Sequence, residues 1–471
     1  MSKLTVGTLR PSEAFTVPLQ TTQQRNAANH VVGAIIYNTD TGAAQVLTSN
    51  NGWLNLGKGK IQATGGTVTE PGDGYKYHAF TQTGNTYTFS VTSVGFQASI
   101  ELLIVAGGGG GGGSHGAGGG GGAGGVVWQP QWFPVVGDYQ VRVGAGGAPG
   151  QTGSYYTNGY YYTGQGDGSF FHGRRGEDSY LRKTNDSQIT FLAIGGGGGM
   201  ESFYTNNEQR QKTTQNYWNN SDGFDERDGG SGGGSGDHYT GVQSWVTHNT
   251  GGRSTQGNFG GYGYGNSGGG RFAWGVGPHN GPFNRKSNGN YPSGNIGSDG
   301  GFVPQYGMNG HGQDTGHGQP HEGAGGGGAG GYELGRNGSN TDYGQVNWPA
   351  TVKGWSSSAP GSGGPGRYFP GFEAWGTTET NGTSGNRGWF AGGGDGGQYW
   401  YNTNGDRGPN NKGGGGGAGA HQHNGFYATD GLANTGGGGG GGSQNNAGGG
   451  NQSGQPAGAG GSGIVLIRYK V

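Results

Sequence analysis

Runs of glycine dominate this sequence between Gly107 and Gly463. Glycine accounts for 125 of the 471 residues, whereas the hydrophobic class reaches only 28%. Through most of its length, such a chain lacks the apolar side chains that a conventional core needs. The runs have no fixed period, which argues against a solenoid of equal repeats. They are broken only by Ala, Ser, Asp or Pro and include residues 107–113, 118–125, 195–199, 229–236, 325–331, 361–366, 392–397, 413–419, 436–442 and 458–463.

The segments between the runs argue against disorder. Disordered chains are usually rich in charge and poor in aromatic residues, whereas here both classes stand at 11%. The rings are concentrated between the runs, as in YYTNGYYY (155–162) and QYWY (398–401). Flexible linkers are the alternative use of glycine-rich sequence, but linkers seldom alternate repeatedly with aromatic segments. We therefore expect the runs to be ordered.

Glycine runs can form an interior without side chains. A polyproline II helix has three residues per turn, rises about 3.1 Å per residue and makes no internal hydrogen bonds. Several such helices of bare glycine can pack side by side and hydrogen-bond to each other, which offsets the backbone entropy that glycine loses on ordering. We expect the occasional Ala, Ser and Asp to lie on outer faces. The predicted interior glycines are Gly107, Gly119, Gly196, Gly326, Gly394, Gly415 and Gly438.

Three stretches outside the runs have the patterns of β-strands. Apolar residues at 31–37, the turn sequence NTDTG at 38–42 and further apolar residues at 44–54 predict a hairpin. Alternating apolar residues at 75–105 predict a compact sheet or half-sandwich. The sequence IVLIRY at 464–469 matches the apolar character of residues 100–105, so we expect these two strands to pair.

The predicted fold is all-β and irregular, with almost no α-helix. Its parts are an N-terminal β module, a β-sandwich-like segment, and a packed polyglycine II bundle with aromatic-rich loops, of which residues 126–194 form the first. The expected domains are 1–60, a virion-attachment module; 61–106, a β domain forming the base; 107–463, the glycine-rich bundle; and 464–471, a C-terminal strand returning to the base.

Charge and composition exclude several classes of partner and site. Lys and Arg total 26 and Asp and Glu total 27, so no net field attracts nucleic acid or an anionic membrane surface. The chain contains no Cys, which excludes disulfides and thiolate metal sites. We find no secretory signal at the N-terminus and no apolar stretch of the roughly 20 residues that span a bilayer.

Candidate catalytic, nucleotide and metal sites are weak. Glycine-rich phosphate loops need a strand before them and a helix after them, and no amphipathic helix is evident near the runs. The acidic sequence SDGFDERDGG lacks the ligand order of a calcium loop and reads as a solvated turn. No catalytic triad can be assigned, so we predict no enzyme, no cofactor and no metal. Histidines with metal-like spacing are His311, His317 and His321, near Asp314 and Glu322, and the pair His421 and His423.

The aromatic segments are the strongest candidates for contact with a ligand. Tyr and Trp supply rigid, amphipathic area and stack on sugar faces, as in binding loops that also contain Asn, Ser and Gly. The alternative is that the rings cover the sides of the glycine bundle, and we assign about half of them that role. The candidate contact residues are Tyr155, Tyr156, Tyr160, Tyr161, Trp218, Trp245, Trp274, Tyr399 and Trp400.

Three segments carry a resemblance to known proteins. IELLIVAGGGGGGG (100–113) and the closing GSGIVLIRY (461–469) resemble the glycine-rich domain of phage structural proteins, and are similar to the tail-fibre tip adhesins of T-even-like phages. This resemblance covers roughly residues 60–471. GAIIYNTDTGAAQVLTSNNGWLNLG (33–57) resembles a short β module of virion proteins of marine and cyanobacterial myoviruses, which implies a role in attachment or oligomerisation. The glycine runs are more numerous and irregular than a minimal adhesin tip needs, which leaves shaft and decoration roles open.

The resemblance implies a tail fibre or receptor-binding adhesin on a virion surface, made in the host cytoplasm. Its loops would contact a host-cell glycan or protein, residues 1–60 would join other virion proteins, and the chain would form homo-oligomers, with a trimer implied by the habit of phage fibres. A structural fibre or capsid decoration protein without receptor contact is the alternative. A depolymerase is the least supported function.

Overall fold

The structure is a computed structural model of the whole chain. It describes residues 17–50, 52–56, 60–95, 98–113, 117–151, 155–157, 160–162, 172–184, 186, 190–200, 203–204, 226–234, 236, 238–239, 252–266, 268, 321–322, 325–329, 363–378, 387–399, 414–420, 427–444 and 454–471.

The N-terminal module is a four-stranded sheet with one short helix. Its elements are β1 (Leu19–Gln20), α1 (Thr22–Ala27), β2 (Ile35–Asn38), β3 (Ala43–Thr48) and β4 (Gly52–Asn55), and the sheet order is β1-β2-β3-β4. The antiparallel pairing of β2 with β3 confirms the predicted hairpin. A capping box starts α1, because the Thr21 side chain accepts from the Gln24 main chain while the Gln24 side chain accepts from the Thr21 main chain.

The strands of the remaining chain are mostly short. They are β5 (Gln62–Thr64), β6 (Thr67–Thr69), β7 (Tyr75–Phe80), β8 (Thr86–Ser93), β9 (Ile100–Val105), β10 (Val126–Trp132), β11 (Gly137–Arg142), β12 (Tyr155–Thr157), β13 (Tyr160–Tyr162), β14 (Ser179–Lys183), β15 (Phe191–Ala193), β16 (Phe203–Tyr204), β17 (His238–Tyr239), β18 (Tyr262–Tyr264), β19 (His321–Glu322), β20 (Arg367–Tyr368), β21 (Trp389–Phe390), β22 (Gln398–Tyr399), β23 (Ser443–Gln444), β24 (Gly454–Gln455) and β25 (Ile464–Lys470).

Two sheets form a sandwich, which we call the base. One has the order β18-β10-β9-β25-β7-β6, and the other has the order β15-β14-β11-β8-β5. The C-terminal strand β25 lies between β9 and β7 and pairs antiparallel with both, so the predicted pairing of residues 100–105 with residues 464–469 is confirmed.

The six-stranded sheet is buried on both faces, which explains the continuous apolar sequences of β9 and β25. On one face, Leu102 and Ile467 pack in a cluster with Phe89 and Leu181 of the five-stranded sheet. On the other face, Leu103 and Leu466 pack in a cluster that includes Phe369, Phe372 and Phe390. These rings come from the chain around β20 and β21 and cover the outer face of the sheet.

The glycine runs hydrogen-bond to one another with a three-residue repeat. Gly107 and Gly110 donate to the carbonyls of Glu177 and Arg174, at 3.1 and 2.9 Å. Gly108 and Gly111 donate to Gly461 and Gly458, both at 2.9 Å, and Gly109 and Gly112 donate to Gly122 and Gly119, both at 2.8 Å. One run therefore bonds to three neighbours in rotation, which is the pattern expected for polyglycine II packing. We call this network the lattice; the helix type of each run stays a prediction.

All seven of the predicted interior glycines take part in this network. Six of them donate a main-chain hydrogen bond of 2.8 to 3.1 Å to another segment, and Gly415 accepts one of 2.8 Å from Leu432. The six donors are Gly107, Gly119, Gly196, Gly326, Gly394 and Gly438.

The interpretation of residues 126–194 as one long loop is wrong. This stretch contributes β10, β11, β14 and β15 to the base, with lattice segments at 143–150 and 172–178 between them. The sandwich therefore extends well beyond the expected base domain of residues 61–106. The physical reason is that alternate residues of these short strands, such as Tyr139 and Val141, point into the core between the sheets.

The expected outward placement of Ala, Ser and Asp within the runs is also wrong in several places. Ala117, Ala123 and Ser231 are fully buried, and Asp395 is 8% exposed. Ala123 packs in the apolar cluster beside the lattice, and Asp395 Oδ1 accepts a 2.7 Å hydrogen bond from the Gly363 main chain. A small side chain is thus accepted where it fills an apolar cluster or satisfies a main-chain donor. The fold as a whole is all-β and irregular with almost no helix in the described part of the chain, as predicted.

Candidate functional site

The lattice has two different ends. At one end its runs continue into the base strands: Ala106, which follows β9, donates to the Gly125 carbonyl, which precedes β10, at 3.0 Å. At the other end, Gly112 donates to Gly119 and Gly119 donates to Met200, both at 2.8 Å, while Gly118 donates to Gly442 at 2.9 Å. We call the latter, formed by Gly112, Gly119, Met200 and Gly442, the loop end.

Successive runs travel from the base to the loop end and back. The antiparallel bonds from Gly109 to Gly122 and from Gly112 to Gly119 show this for the first two runs. As a result, the connecting residues 114–116, 152–171, 201–225 and 445–453 start and finish beside the loop end. Sequences that lie far apart in the chain are therefore brought to one end of the molecule.

Four short strand pairs lie beyond the runs. β12 pairs antiparallel with β13, β16 pairs parallel with β17, β19 pairs antiparallel with β22, and β23 pairs antiparallel with β24. β16 follows the run that ends at Met200, and β23 follows the run that ends at Gly442. The strand pairs thus continue the lattice at its loop end and join segments that are up to 78 residues apart, as in His321 opposite Tyr399.

The candidate contact residues fall into two groups. Tyr155 and Tyr156 lie in β12, Tyr160 and Tyr161 lie in β13, and Tyr399 lies in β22. In the β12–β13 hairpin, Tyr156 is opposite Tyr161 and Tyr155 is opposite Tyr162, so five aromatic residues share one two-stranded ribbon. The other candidates, Trp218, Trp245, Trp274 and Trp400, lie outside the described residues.

Charged side chains along the lattice have partners within it. Arg174 Nη1 is 3.5 Å from Glu226 Oε1, and Glu226 Oε2 accepts a 3.3 Å hydrogen bond from the Arg175 main chain. Asp228, from the same acidic sequence, accepts from the Arg253 main chain at 2.5 Å. These carboxylates hold segments of the lattice together and do not form a cation cage. Asp222 and Asp225 lie outside the described residues.

The histidine clusters give no metal centre in the described part of the chain. His321 and Glu322 form β19 and pair through their main chains with β22, whereas His311, His317, Asp314, His421 and His423 lie outside the described residues. Among the residues that the structure describes, no three His, Cys, Asp or Glu side chains are grouped in a way that could hold a metal ion.

Some aromatic rings are buried against the outer face of the six-stranded sheet, beside small residues of the adjoining runs. Phe369, Phe372 and Phe390 are at most 1% exposed, and Phe390 packs with Ala391 and Ala329 of the neighbouring runs. Beside them, a 2.6 Å hydrogen bond to Glu373 raises the pKa of Tyr368 to about 12, so this phenol stays protonated and serves to fix the loop. Sequence reasoning did not single out these rings, because nothing local distinguishes them from the rings at the loop end.

Sequence reasoning also missed an apolar surface on the N-terminal module. Leu19, Val31 and Val32 are more than 60% exposed there. The module precedes β5, whose first residue, Gln62, pairs with Ser93 at the edge of the base farthest from the lattice. It therefore lies at the opposite end from the three strand pairs that contain Tyr or Phe, β12–β13, β16–β17 and β19–β22, which we call the aromatic strand pairs.

Comparison with protein-family models, with curated proteins and with solved structures finds no match to this chain. No helix in the described part of the chain is long and apolar enough to cross a membrane.

Proposed function

We propose that this protein is a phage virion surface protein, a tail fibre or receptor-binding adhesin that presents aromatic loops to a glycan or protein of the host-cell surface. The observation that carries this proposal is the separation of the two ends of the molecule. The N-terminal module lies at the base, while the aromatic strand pairs lie beyond the loop end of the lattice. One end is thus free for attachment to the virion and the other for contact with the host.

The construction of the lattice supports a presenting role. Main-chain hydrogen bonds in three directions leave each run little freedom to move, so the loops are held on a rigid support. Rigid presentation lowers the entropy cost of binding, and Tyr-rich segments supply contact area with few rotatable bonds. Binding by several copies on one virion would raise the apparent affinity further. A structural fibre or decoration protein needs the rigid support but has no need for the aromatic strand pairs.

Adsorption of the purified full-length protein to cells tests the proposal. We expect fluorescently labelled protein to bind saturably to at least one member of a panel of bacterial hosts. A variant with Tyr155, Tyr156, Tyr160 and Tyr161 replaced by Ser should bind about tenfold more weakly, because aromatic anchors carry much of the energy of such contacts.

The matched control is a variant with Phe133→Ser and Tyr262→Ser, which removes two exposed rings from the base. This variant should bind like the wild type. Failure of the wild type to adsorb to any cell, or an equal loss in the control, would reject the adhesin role and leave the structural fibre or decoration role.

A further inference from the structure

One buried amide at the loop end of the lattice has no hydrogen-bond partner. Gln455 is the second residue of β24 and is 2% exposed. Neither its Nε2 atom nor its Oε1 atom is hydrogen-bonded, and in the part of the chain that the structure describes no other buried side-chain nitrogen or oxygen is left in this state. An unmatched amide away from water destabilises a folded protein, so its presence here needs a specific reason.

Another buried amide of the lattice shows that main-chain groups can satisfy such a side chain. Gln256 is 3% exposed, and its Oε1 atom accepts a 2.8 Å hydrogen bond from the Ile194 main chain. Its Nε2 atom donates to the carbonyls of Leu192 and Gly257, at 3.2 and 2.7 Å. Gln455 has the same side chain and the same degree of burial, yet it makes none of these bonds.

The main-chain groups beside Gln455 are already used by the lattice. Gly442 packs directly on Gln455, because a Cβ atom added to Gly442 would lie 2.5 Å from the Gln455 carbonyl oxygen. The Gly442 main chain donates to the Gly112 carbonyl and accepts from Gly118, both at 2.9 Å. These neighbouring groups are therefore not free to bond to the amide.

Gln455 belongs to a group of four adjacent strands at the loop end. β24 pairs with β23, β23 contacts β22, and β22 pairs with β19. β22 contains Tyr399, one of the predicted contact residues, and it continues the run that ends at Gly397, which packs against Gly442. We call these four strands the end patch. Its residues are His321, Glu322, Gln398, Tyr399, Ser443, Gln444, Gly454 and Gln455.

The composition of the end patch favours an uncharged ligand that forms hydrogen bonds. Its eight residues include three Gln, one Ser and one Tyr, and no Lys or Arg that could balance an anionic ligand. A Gln amide both donates and accepts, so its complement is a group that does the same. The hydroxyl groups of a sugar meet this requirement, and Tyr rings stack on sugar faces. An acidic sugar is disfavoured, because the one acidic residue of the patch, Glu322, would repel it.

We propose that Gln455 is a ligand-binding residue of the end patch and that its ligand is a neutral sugar of a host-cell glycan. The choice of the host cell as the source of the sugar rests on the proposed function. The amide has no partner to lose, so hydrogen bonds to the sugar are gained without breaking others. Because Gln455 is 2% exposed, the sugar must displace the atoms that cover the amide, and we expect a single sugar unit to bind weakly.

Thermal unfolding of two variants separates a binding role from a structural one. Met has nearly the length of Gln but no amide, so Gln455→Met should raise the unfolding midpoint by about 2 °C. The matched control, Gln256→Met, should lower the midpoint, because it leaves main-chain groups such as that of Ile194 without partners. A lower midpoint for Gln455→Met would mean that a buried water or another group already matches the amide, and would overturn the proposal.

Saturation-transfer nuclear magnetic resonance with the full-length protein measures sugar binding. The probes are neutral oligosaccharides of glucose, galactose, mannose and N-acetylglucosamine, with polysialic acid as the anionic comparison. We expect at least one neutral probe to bind, with about tenfold lower affinity in Gln455→Met and unchanged affinity in Gln256→Met. The absence of binding by any neutral probe, equal affinity in Gln455→Met, or preference for polysialic acid would overturn the proposal.

Adsorption to cells distinguishes failure of this inference from failure of the proposed function. If the wild type and Gln455→Met adsorb equally well and neither binds a neutral sugar, the adhesin role stands and the receptor is a host protein. If the wild type binds a neutral sugar through Gln455 but adsorbs to no cell, the sugar site stands and the adhesin role is rejected.

Discussion

At the scale of single residues, the lattice depends on the absence of a side chain. A Cβ atom added to Gly438 would lie 2.0 Å from the Gly121 carbonyl oxygen, and one added to Gly121 would lie 2.1 Å from the Gly109 oxygen. The colliding atoms are main-chain atoms that are themselves hydrogen-bonded, so they cannot move aside independently. Glycine is needed here because of close approach between main chains, and its freedom to adopt positive φ is not used.

Substitution of Gly438 by Ala should therefore be severe. We expect Gly438→Ala to lower the free energy of unfolding by about 3 kcal/mol, because overpacking has no flexible neighbour to relax it. Thermal unfolding followed by circular dichroism measures this loss.

The control is Gly257→Ala, whose added Cβ would be 3.1 Å from the ring of Phe259, a residue that is 43% exposed and can shift. Its midpoint should stay near the wild type. If the two variants unfolded at the same temperature, close packing of main chains would not be what excludes side chains from the lattice.

The protonation of the His78 ring is set by its surroundings. It is fully buried in the six-stranded sheet, where Nδ1 is 2.7 Å from the Gly65 carbonyl oxygen and Nε2 is 3.1 Å from the Tyr469 hydroxyl. A carbonyl can only accept, so Nδ1 carries the proton and Nε2 accepts from the tyrosine in the neutral ring. Burial lowers the pKa of His78, although the hydrogen bond to Gly65 opposes this fall.

The folded protein should therefore lose stability as the pH falls below the pKa of an unfolded histidine, about 6.5. Below that pH the unfolded chain binds a proton that the folded chain resists, so acid favours unfolding. We expect the urea midpoint to drop between pH 7 and pH 5 in the wild type. In His78→Phe, which has no ring proton to gain, the drop should be smaller, even though the variant is less stable at pH 7. An unchanged pH dependence in the variant would contradict the prediction.

At the scale of elements, Arg468 joins three parts of the base. From β25 its guanidinium reaches Glu101 of β9 at 2.6 Å and donates to the Gly371 carbonyl at 3.1 Å. Its Cζ atom also lies 4.6 Å from the centre of the Tyr75 ring and 5.2 Å from that of Phe372. The Arg468 and Glu101 side chains are only 14% and 15% exposed, so the pair is shielded from water.

Loss of this arginine should destabilise the base much more than loss of an exposed ion pair. Breaking a shielded pair leaves an uncompensated charge, so we expect Arg468→Gln to cost about 3 kcal/mol in urea unfolding. Lys76→Gln, which removes the more exposed pair with Glu70 at 2.8 Å, should leave the urea midpoint close to that of the wild type. Equal costs would show that Arg468 contributes no more than a surface charge.

At the scale of the whole molecule, the lattice and the sandwich form one hydrogen-bonded unit. Glycine runs begin where strands of the base end, and other runs lead back into strands of the base. The last strand of the chain, β25, lies in the middle of a sheet. The native unit can therefore be completed only when the C-terminal residues are present. Cooperative formation of many main-chain bonds is what offsets the large entropy loss of ordering glycine.

Hydrogen exchange tests whether the lattice and the base unfold together. We expect main-chain amides at 107–112, which are bonded to neighbouring runs, to exchange as slowly as those of β9 and to lose protection together with it in urea. Mass spectrometry of peptides covering 100–113 measures both. Rapid exchange of the glycine amides in native buffer, as in a flexible linker, would contradict the lattice.

The regions that could be predicted from sequence are those in which local pattern and fold agree. The hairpin of β2 and β3 follows from its apolar runs and the turn residues between them, and the matching apolar sequences of β9 and β25 predicted that these two strands pair. Strands β10, β11, β14 and β15 were missed because they are short and separated by glycine runs. The exposed apolar residues of the N-terminal module, such as Leu19 and Ile35, were missed because their exposure depends on which side of the sheet α1 covers.

The sequence by itself determined that the main-chain N–H and C=O groups of the runs must hydrogen-bond to other runs. Glycine has no side chain from which any other interior could be built. Only the tertiary structure decided which runs are neighbours and how far each run is shifted along its neighbours. Bare glycine carries no register information, because a run shifted by one turn makes the same bonds. The side chains of the base strands, which fit in one register only, set the position of every run attached to them and thereby bring the aromatic strand pairs to one end.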